Sequence, residues 1–309
     1  MRSTARKPWG LLTLLLGLLG ASPGLAKVPL TIATTGHATV PVRGTFGVRQ
    51  FVFDTGAEGT AVYADFAEAA DLPSAGTETV QGQTGSTELP LVELDSVTLD
   101  SIRKGPIKAS KLPKRADEVP LAGIVGLDLF GDRTVDFDLP KKRLSLLSTG
   151  RKAAGLRSRP VRASITTGTL LTVPVRIGEV TATAVIDTGA RKTRFNWALG
   201  KRLGWDPAQL RDGDTVHGAT NNAVVTKSAI VPTVQLGSSR VTNMPVLIAD
   251  LPVFEAFGVA DRPAIILGLD WLHGTRMVID FPARMVWFER PDRGSSITPE
   301  YQLSTRCGH

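Results

Sequence analysis

The chain repeats itself. Near residue 51 it reads FVFDTGAEGTAVYADFAEAADL, and near residue 184 it reads AVIDTGARKTRFNWALGKRLGW. Each segment has an apolar lead-in, then Asp-Thr-Gly-Ala, then a threonine three residues on (Thr60, Thr193), and then a helix-like stretch ending near Leu72 or Leu203. Downstream, AGIVGLDLFGDRTVDFDLPKKRLSLL is answered by AIILGLDWLHGTRMVIDFPARMVWFER, which aligns Gly126 with Gly268, Asp128 with Asp270 and Asp136 with Asp280. Between these blocks each half carries a glycine-bearing, hairpin-like segment. These are VQGQTGSTE around Gly82 and VHGATNNAV around Gly218, 28 and 31 residues after the Asp of the respective Asp-Thr-Gly. Three elements in the same order at similar spacing define a duplicated unit. The pattern predicts two homologous lobes over residues 35–147 and 160–290, a connection over 148–159 and a polar tail over 291–309.

Local patterns give the class. Val, Thr, Gly and Pro are frequent and long helix-forming runs are scarce, which favours short strands joined by turns. VPVRGTFGV from Val40 and VPVRIG from Val173 each read as strand, turn and second strand, the second delivering the Asp-Thr-Gly. Alternation in RLSLL from Arg143 and the apolar run MVWF from Met285 read as further strands. The expected fold is mainly β: two homologous β-barrel lobes with a cleft between them. One short helix is expected after each Asp loop, and a second near Asp128 or Asp270.

Residues 1–26 differ from the rest. Arg2, Arg6 and Lys7 precede an apolar stretch from Trp9 through Leu19, and small residues follow to Ala26. This is the layout of a secretory signal peptide, and the stretch is shorter than the ~20 residues a spanning helix needs. An uncleaved anchor is the alternative. The expectation is an exported protein, periplasmic or secreted, without stable membrane insertion after cleavage. Without the leader's three cations the formal charge falls from +7 to +4, too small an excess to indicate a nucleic-acid partner. The single cysteine, Cys307, cannot form an internal disulfide. The four histidines are scattered, so neither a metal site nor any other cofactor is expected.

The chemistry follows from the repeated tetrapeptide. An apolar strand fixes the loop, glycine permits a tight turn and close approach, and a threonine hydroxyl can bond across to a neighbouring loop. Two lobes related by a pseudo-twofold axis bring Asp54 and Asp187 together. Two close carboxyls cannot both ionise cheaply, so they share a proton. One can then take a proton from water while the other donates to a substrate carbonyl. The cationic pair Arg191 and Lys192 follows the second motif. It either favours ionisation of Asp187 or points to solvent.

The duplicated Asp-Thr-Gly-Ala, the Ile-Val-Gly and Ile-Leu-Gly blocks and the intervening glycine hairpins resemble retropepsin-like aspartic proteases. The single-chain, two-lobed layout is similar to that of pepsin-like enzymes. The resemblance covers most of the chain beyond residue 35. It implies an acid-protease fold, with Asp54 and Asp187 as the catalytic dyad and Thr55 and Thr188 linking the two loops. It further implies that Gly56 and Gly189 contact bound peptide backbone, that the segments around Gly82 and Gly218 are flaps over the substrate, and that Gly126 and Gly268 pack beneath the Asp loops. Neither flap segment carries a tyrosine, a departure from the pepsin-like pattern.

The functional expectation is a monomeric aspartic endopeptidase acting on peptide or protein substrates. The alternative is a non-catalytic peptide-binding or scaffold module using the same cleft. A serine hydrolase is disfavoured because no Gly-x-Ser-x-Gly motif occurs. Asp128 and Asp270 are expected at helix N-termini or turns, and Asp136 and Asp280 at strand ends.

Overall fold

A computed structural model describes residues 27–117, 119–148, 153–217 and 223–290. The candidate leader, residues 149–152 of the connection, Gly218 and the polar tail lie outside these residues.

The strands form three sheets. In the first unit, Gly47–Phe53 pairs antiparallel with Ala38–Gly44 and parallel with Gly123–Val125, which in turn lies beside Ala61–Tyr63. The second unit repeats this arrangement. Val180–Ile186 pairs antiparallel with Leu171–Ile177 and parallel with Ala264–Leu267, which lies beside Arg194–Phe195. In both units the central strand runs directly into Asp-Thr-Gly. The last three residues of each central strand, Phe51–Phe53 and Ala184–Ile186, are buried on both faces, which is why the lead-in to each motif reads as an apolar run rather than as an alternating pattern.

A six-stranded sheet joins the units, in the order Val28–Pro29, Arg143–Leu147, Thr134–Asp138, Arg276–Asp280, Met285–Glu289, Val161–Arg162. Its centre is the antiparallel pair Thr134–Asp138 with Arg276–Asp280, in which Asp136 lies opposite Val278. The sheet is therefore symmetric about the junction of the two lobes. Residues 28–32, which the repeat left ahead of the first lobe, are part of this framework: Val28 pairs with Leu144 and Thr31 with Thr39.

The register corrects the reading of Asp136. Asp138, not Asp136, matches Asp280. Asp138 accepts from the Lys141 N–H at 3.2 Å, and Asp280 accepts from the Ala283 N–H at 2.9 Å, each closing the turn after its strand. Asp136 sits mid-strand and receives both Nε and Nη2 of Arg276 at 2.7 Å. This two-toothed ion pair bridges the units with only about a seventh of either side chain exposed (15% and 14%).

One apolar core runs through both lobes and the shared sheet. Phe53, the residue before Asp54, stacks on Phe130 at 4.3 Å and on Phe137 at 5.9 Å. Phe130 in turn meets Phe281 of the second unit edge-on at 6.1 Å. Truncating one such fully buried ring costs about 3–5 kcal/mol, so the strand that delivers Asp54 is held by its own side chains. The expected helices are present: Ala64–Ala69 and Trp197–Arg202 after the Asp loops, and Leu127–Phe130 and Leu269–Leu272 after the downstream glycines. Asn196 caps the Trp197 helix, its side-chain oxygen accepting from Leu199 N–H at 3.0 Å.

Candidate active site

The two Asp-Thr-Gly loops meet at the junction of the lobes. The Thr55 hydroxyl donates to the Ile186 carbonyl at 2.8 Å and accepts from the Thr188 N–H at 3.1 Å. The Thr188 hydroxyl repeats this in reverse, donating to the Phe53 carbonyl at 2.6 Å and accepting from the Thr55 N–H at 3.0 Å. Both threonines are buried, Thr188 completely. Four hydrogen bonds thus lock the loops in a reciprocal clasp, in which each hydroxyl uses both its donor and its acceptor capacity. A valine at either position would fit sterically but could not form these bonds.

The clasp sets the two carboxyls side by side. Asp54 Oδ1 accepts from the Gly56 N–H at 2.7 Å, and Asp187 Oδ1 accepts from the Ala190 N–H at 2.8 Å. A Cβ on Gly189 would stand 2.1 Å from Asp54 Oδ2, and one on Gly56 would stand 2.6 Å from Asp187 Cγ. Each motif glycine therefore faces the carboxyl of the opposite loop. Its lack of a side chain is what lets the two loops close.

Burial raises the affinity of both carboxyls for protons, but not equally. Asp54 is pushed well above the usual carboxylate range, first by desolvation and then by the negative charge of Asp187 with which it hydrogen-bonds; the Gly56 and Gly189 N–H groups oppose the shift. Asp187 is also raised by desolvation, but the Ala190 N–H, the positive charge of Arg194 and the Asp54 carboxyl pull it back. The pair is accordingly set to share one proton, and the positive charge of Arg194 favours the ionised form of Asp187 over that of Asp54.

The residues after each motif fasten the loop from below. Gly126 lies against the Ala57 and Gly59 carbonyls, where a Cβ would come within 2.7 and 2.5 Å; Gly268 lies in the same way against Ala190 and Lys192. The next two N–H groups bond back to the loop, Leu127 to Ala57 and Asp128 to Glu58, and likewise Leu269 to Ala190 and Asp270 to Arg191. Asp128 accepts from the Thr60 hydroxyl at 2.8 Å, while Asp270 accepts from the Thr193 hydroxyl at 2.6 Å and from the Trp271 N–H at 2.8 Å. The repeated threonines of the sequence are the partners of these helix-terminal aspartates.

Glu58 and Arg191, at matching positions, reach in opposite directions. Glu58 accepts from the Thr169 N–H at 2.6 Å in the second unit, and Arg191 donates to the Thr35 carbonyl at 3.1 Å in the first. Lys192 pairs with Asp214 at 2.5 Å. Both therefore lie at the surface, the second of the two expected arrangements, each held there by a partner. The cation that acts on Asp187 is Arg194, three and two residues further on. Its charge was visible in the repeated segment; its direction was not, because that depends on strand pairing.

Gly82 stands at the tip of the hairpin Ser74–Gly82 and Gly85–Leu94, paired with Gly85. Thr84, between them, is only 3% exposed, and the Ser74–Gly82 strand lies next to the helix Val253–Ala256 of the second unit. The hairpin thus spans from one lobe to the other. Its counterpart is built on Arg211–His217 and Ala223–Leu236, with the Gly218 tip outside the described residues. Among the described residues, no three His, Cys, Asp or Glu side chains gather into a metal-holding group.

A family model described as aspartyl protease matches the chain twice, over residues 38–129 and 173–271. The two matches fall one on each unit and each contains one Asp-Thr-Gly. No curated protein matches the chain.

Proposed function

The chain belongs to the aspartyl protease family, and on that premise we propose that it is an endopeptidase that hydrolyses peptide bonds with a water activated between Asp54 and Asp187. One observation carries the reading: each motif glycine is pressed against the opposite carboxyl, so both acids converge on one point between the lobes. The charge logic is the established one for aspartic protease dyads. Ionised Asp187 takes a proton from the water, whose oxygen attacks the scissile carbonyl carbon. Asp54 gives its proton to the carbonyl oxygen, yielding a neutral gem-diol. On collapse, a gem-diol hydroxyl returns a proton to Asp54, Asp187 protonates the departing nitrogen, and the C–N bond breaks. Both acids finish as they began.

The Gly82 hairpin acts as a flap that covers the substrate, and the Gly218 hairpin is assigned the matching place in the second unit. The enzyme works as a monomer, because its own two lobes supply both acids. The leader-like residues 1–26 support an exported enzyme acting in the periplasm. No helix among the described residues is long and apolar enough to cross a membrane.

The test is cleavage of a randomised peptide library by the mature protein from acidic to neutral pH, beside Asp54→Asn and Asp187→Asn. Cleavage lost in both variants, with the fold intact, supports the reading. Full activity in either variant refutes the shared-proton mechanism. A folded wild-type protein that binds peptides but cleaves none would make this a peptide-binding module.

A further inference from the structure

Arg194 is a buried cation without a bonded partner among the described residues. Its residue is 9% exposed, and its Nε and Nη1 atoms are buried with no hydrogen-bond partner among the described residues. Nor does it form an ion pair with any of their carboxylates, although Asp187 and Asp270 are near enough to act on it electrostatically. Asp270 is already engaged by Thr193 and Trp271, and Asp187 by Ala190. Burying a guanidinium in this condition is costly unless a counter-group arrives.

Strand register fixes where Arg194 faces. It lies opposite Ile266 on one side and Leu247 on the other, and Ile266 lies opposite Val185. Val185, Ile266, Arg194 and Leu247 thus form one row on one face of the sheet. Side chains two apart along a strand share a face, so Asp187, two residues beyond Val185, emerges on the face that carries Arg194. The next residue, Phe195, turns the other way, stacking on Trp205 at 6.0 Å.

The matching row of the first unit is Val52, Ile124, Ala61 and Ser110. Here alanine stands in place of Arg194, and the Ser110 hydroxyl bonds to Glu78 of the flap hairpin. The two rows therefore differ in charge: the one that leads to Asp54 contains no cation, and the one that leads to Asp187 contains Arg194.

We propose that Arg194 is a specificity-determining residue, the base of a subsite beside Asp187 that accepts an acidic side chain of the substrate. The enzyme then selects peptides with Asp or Glu close to the scissile bond on the side bound by the second lobe. This rests on the proteolytic reading above. A carboxylate would pair with the unoccupied guanidinium nitrogens and neutralise the buried charge.

The test uses the full chain and pairs of decapeptides drawn from its library profile, differing only by Glu or Gln at the selected position. Each pair is made both cleavable and with a reduced, uncleavable scissile bond, for kcat/KM and for fluorescence anisotropy. Wild type is expected to favour Glu over Gln by about 10- to 100-fold, the range for a hydrogen bond to a charged group. Arg194→Met should abolish the preference, and Arg194→Lys should keep part of it. The Glu/Gln ratio cancels any effect of Arg194 on the dyad itself. Because the guanidinium has no bonded partner to orphan, Arg194→Met should fold with a Tm no lower than wild type.

Cleavage with no acidic preference, or a preference that survives in Arg194→Met, overturns this proposal and leaves the proteolytic reading intact. Acid-selective binding through Arg194 without cleavage supports the subsite and overturns proteolysis. A folded protein that neither binds nor cleaves either peptide overturns both.

Discussion

Replacing Thr188 with valine keeps the shape of the loop junction and removes one hydroxyl. That hydroxyl accepts from the Thr55 N–H at 3.0 Å and donates to the Phe53 carbonyl at 2.6 Å. Thr188 is 0% exposed, so neither orphaned group can turn to water. Each buried group left unpaired costs about 1–3 kcal/mol, giving a total of about 2–6 kcal/mol for the two. For a chain of this size, roughly 2–4 °C of Tm accompany each kcal/mol, so the midpoint should fall by on the order of 10 °C. Thr188→Ser keeps the hydroxyl and should lose only what one buried methylene-sized group contributes, about 1 kcal/mol. Thr55→Val cuts the mirror-image pair, in which Thr55 donates to Ile186 and accepts from Thr188. The double variant should lose measurably less than the sum of the two single losses, because both act on one network. Thermal unfolding followed by intrinsic tryptophan fluorescence measures all four variants beside the wild type. A Thr188→Val midpoint within error of wild type, or a serine variant as damaged as the valine one, would refute the claim that these hydroxyls hold the loops together.

Three further outcomes are expected. Gly189→Ala puts a methyl 2.1 Å from Asp54 Oδ2, so the carboxyl must retreat by about 1 Å; misplacement on that scale costs about 100-fold in rate. Steady-state cleavage should show the loss with Tm nearly unchanged, and an active alanine variant would contradict the packing described. Arg276→Met leaves Asp136 as an unpaired, mostly buried carboxylate and should destabilise by about 3 kcal/mol. Pairing it with Asp136→Leu should recover most of that loss in the same unfolding assay, and no recovery would mean that the bridge is more than a compensated pair. The kcat/KM profile should be bell-shaped, with Asp187 ionisation forming its acid limb and Asp54 deprotonation its alkaline limb, both above the ordinary carboxylate range. The folded state holds the Asp54 proton more tightly than the unfolded chain does. This stabilising contribution is therefore full below the unfolded pKa and is lost as pH rises through the higher folded value. Asp54→Asn should remove that decline, and parallel stability curves for variant and wild type would disprove it.

The duplication made most of the site legible. Asp54, Asp187, Thr55 and Thr188 stand where two copies of one motif must meet if each copy delivers its loop from a central strand. Gly126 and Gly268 were also readable, because they recur at the same distance before a second apolar block. The features that escaped depend on pairing across the chain. Asp136 was aligned with Asp280 because each precedes or follows a phenylalanine, but ladder register and the proline turns equate Asp138 with Asp280. The cross-lobe bonds of Glu58 and Arg191 are invisible in the sequence because their partners, Thr169 and Thr35, lie more than a hundred residues away. Arg194 was hidden by its neighbours. Among three basic residues within four positions, only the strand alternation shows which one turns towards the dyad.

The shared sheet has a consequence for the time at which the enzyme becomes competent. Its central ladder joins Thr134–Asp138 to Arg276–Asp280, and its ion pair spans 140 positions of the chain. The framework beneath Asp54 is therefore completed only by strands that are the last of the described residues to be made. Closing so long a loop is entropically demanding and is met late in folding. A chain synthesised only as far as the second Asp-Thr-Gly would carry both acids yet lack the frame beneath them. The shared sheet thus ties the meeting of the two carboxyls to the completion of strands from both units.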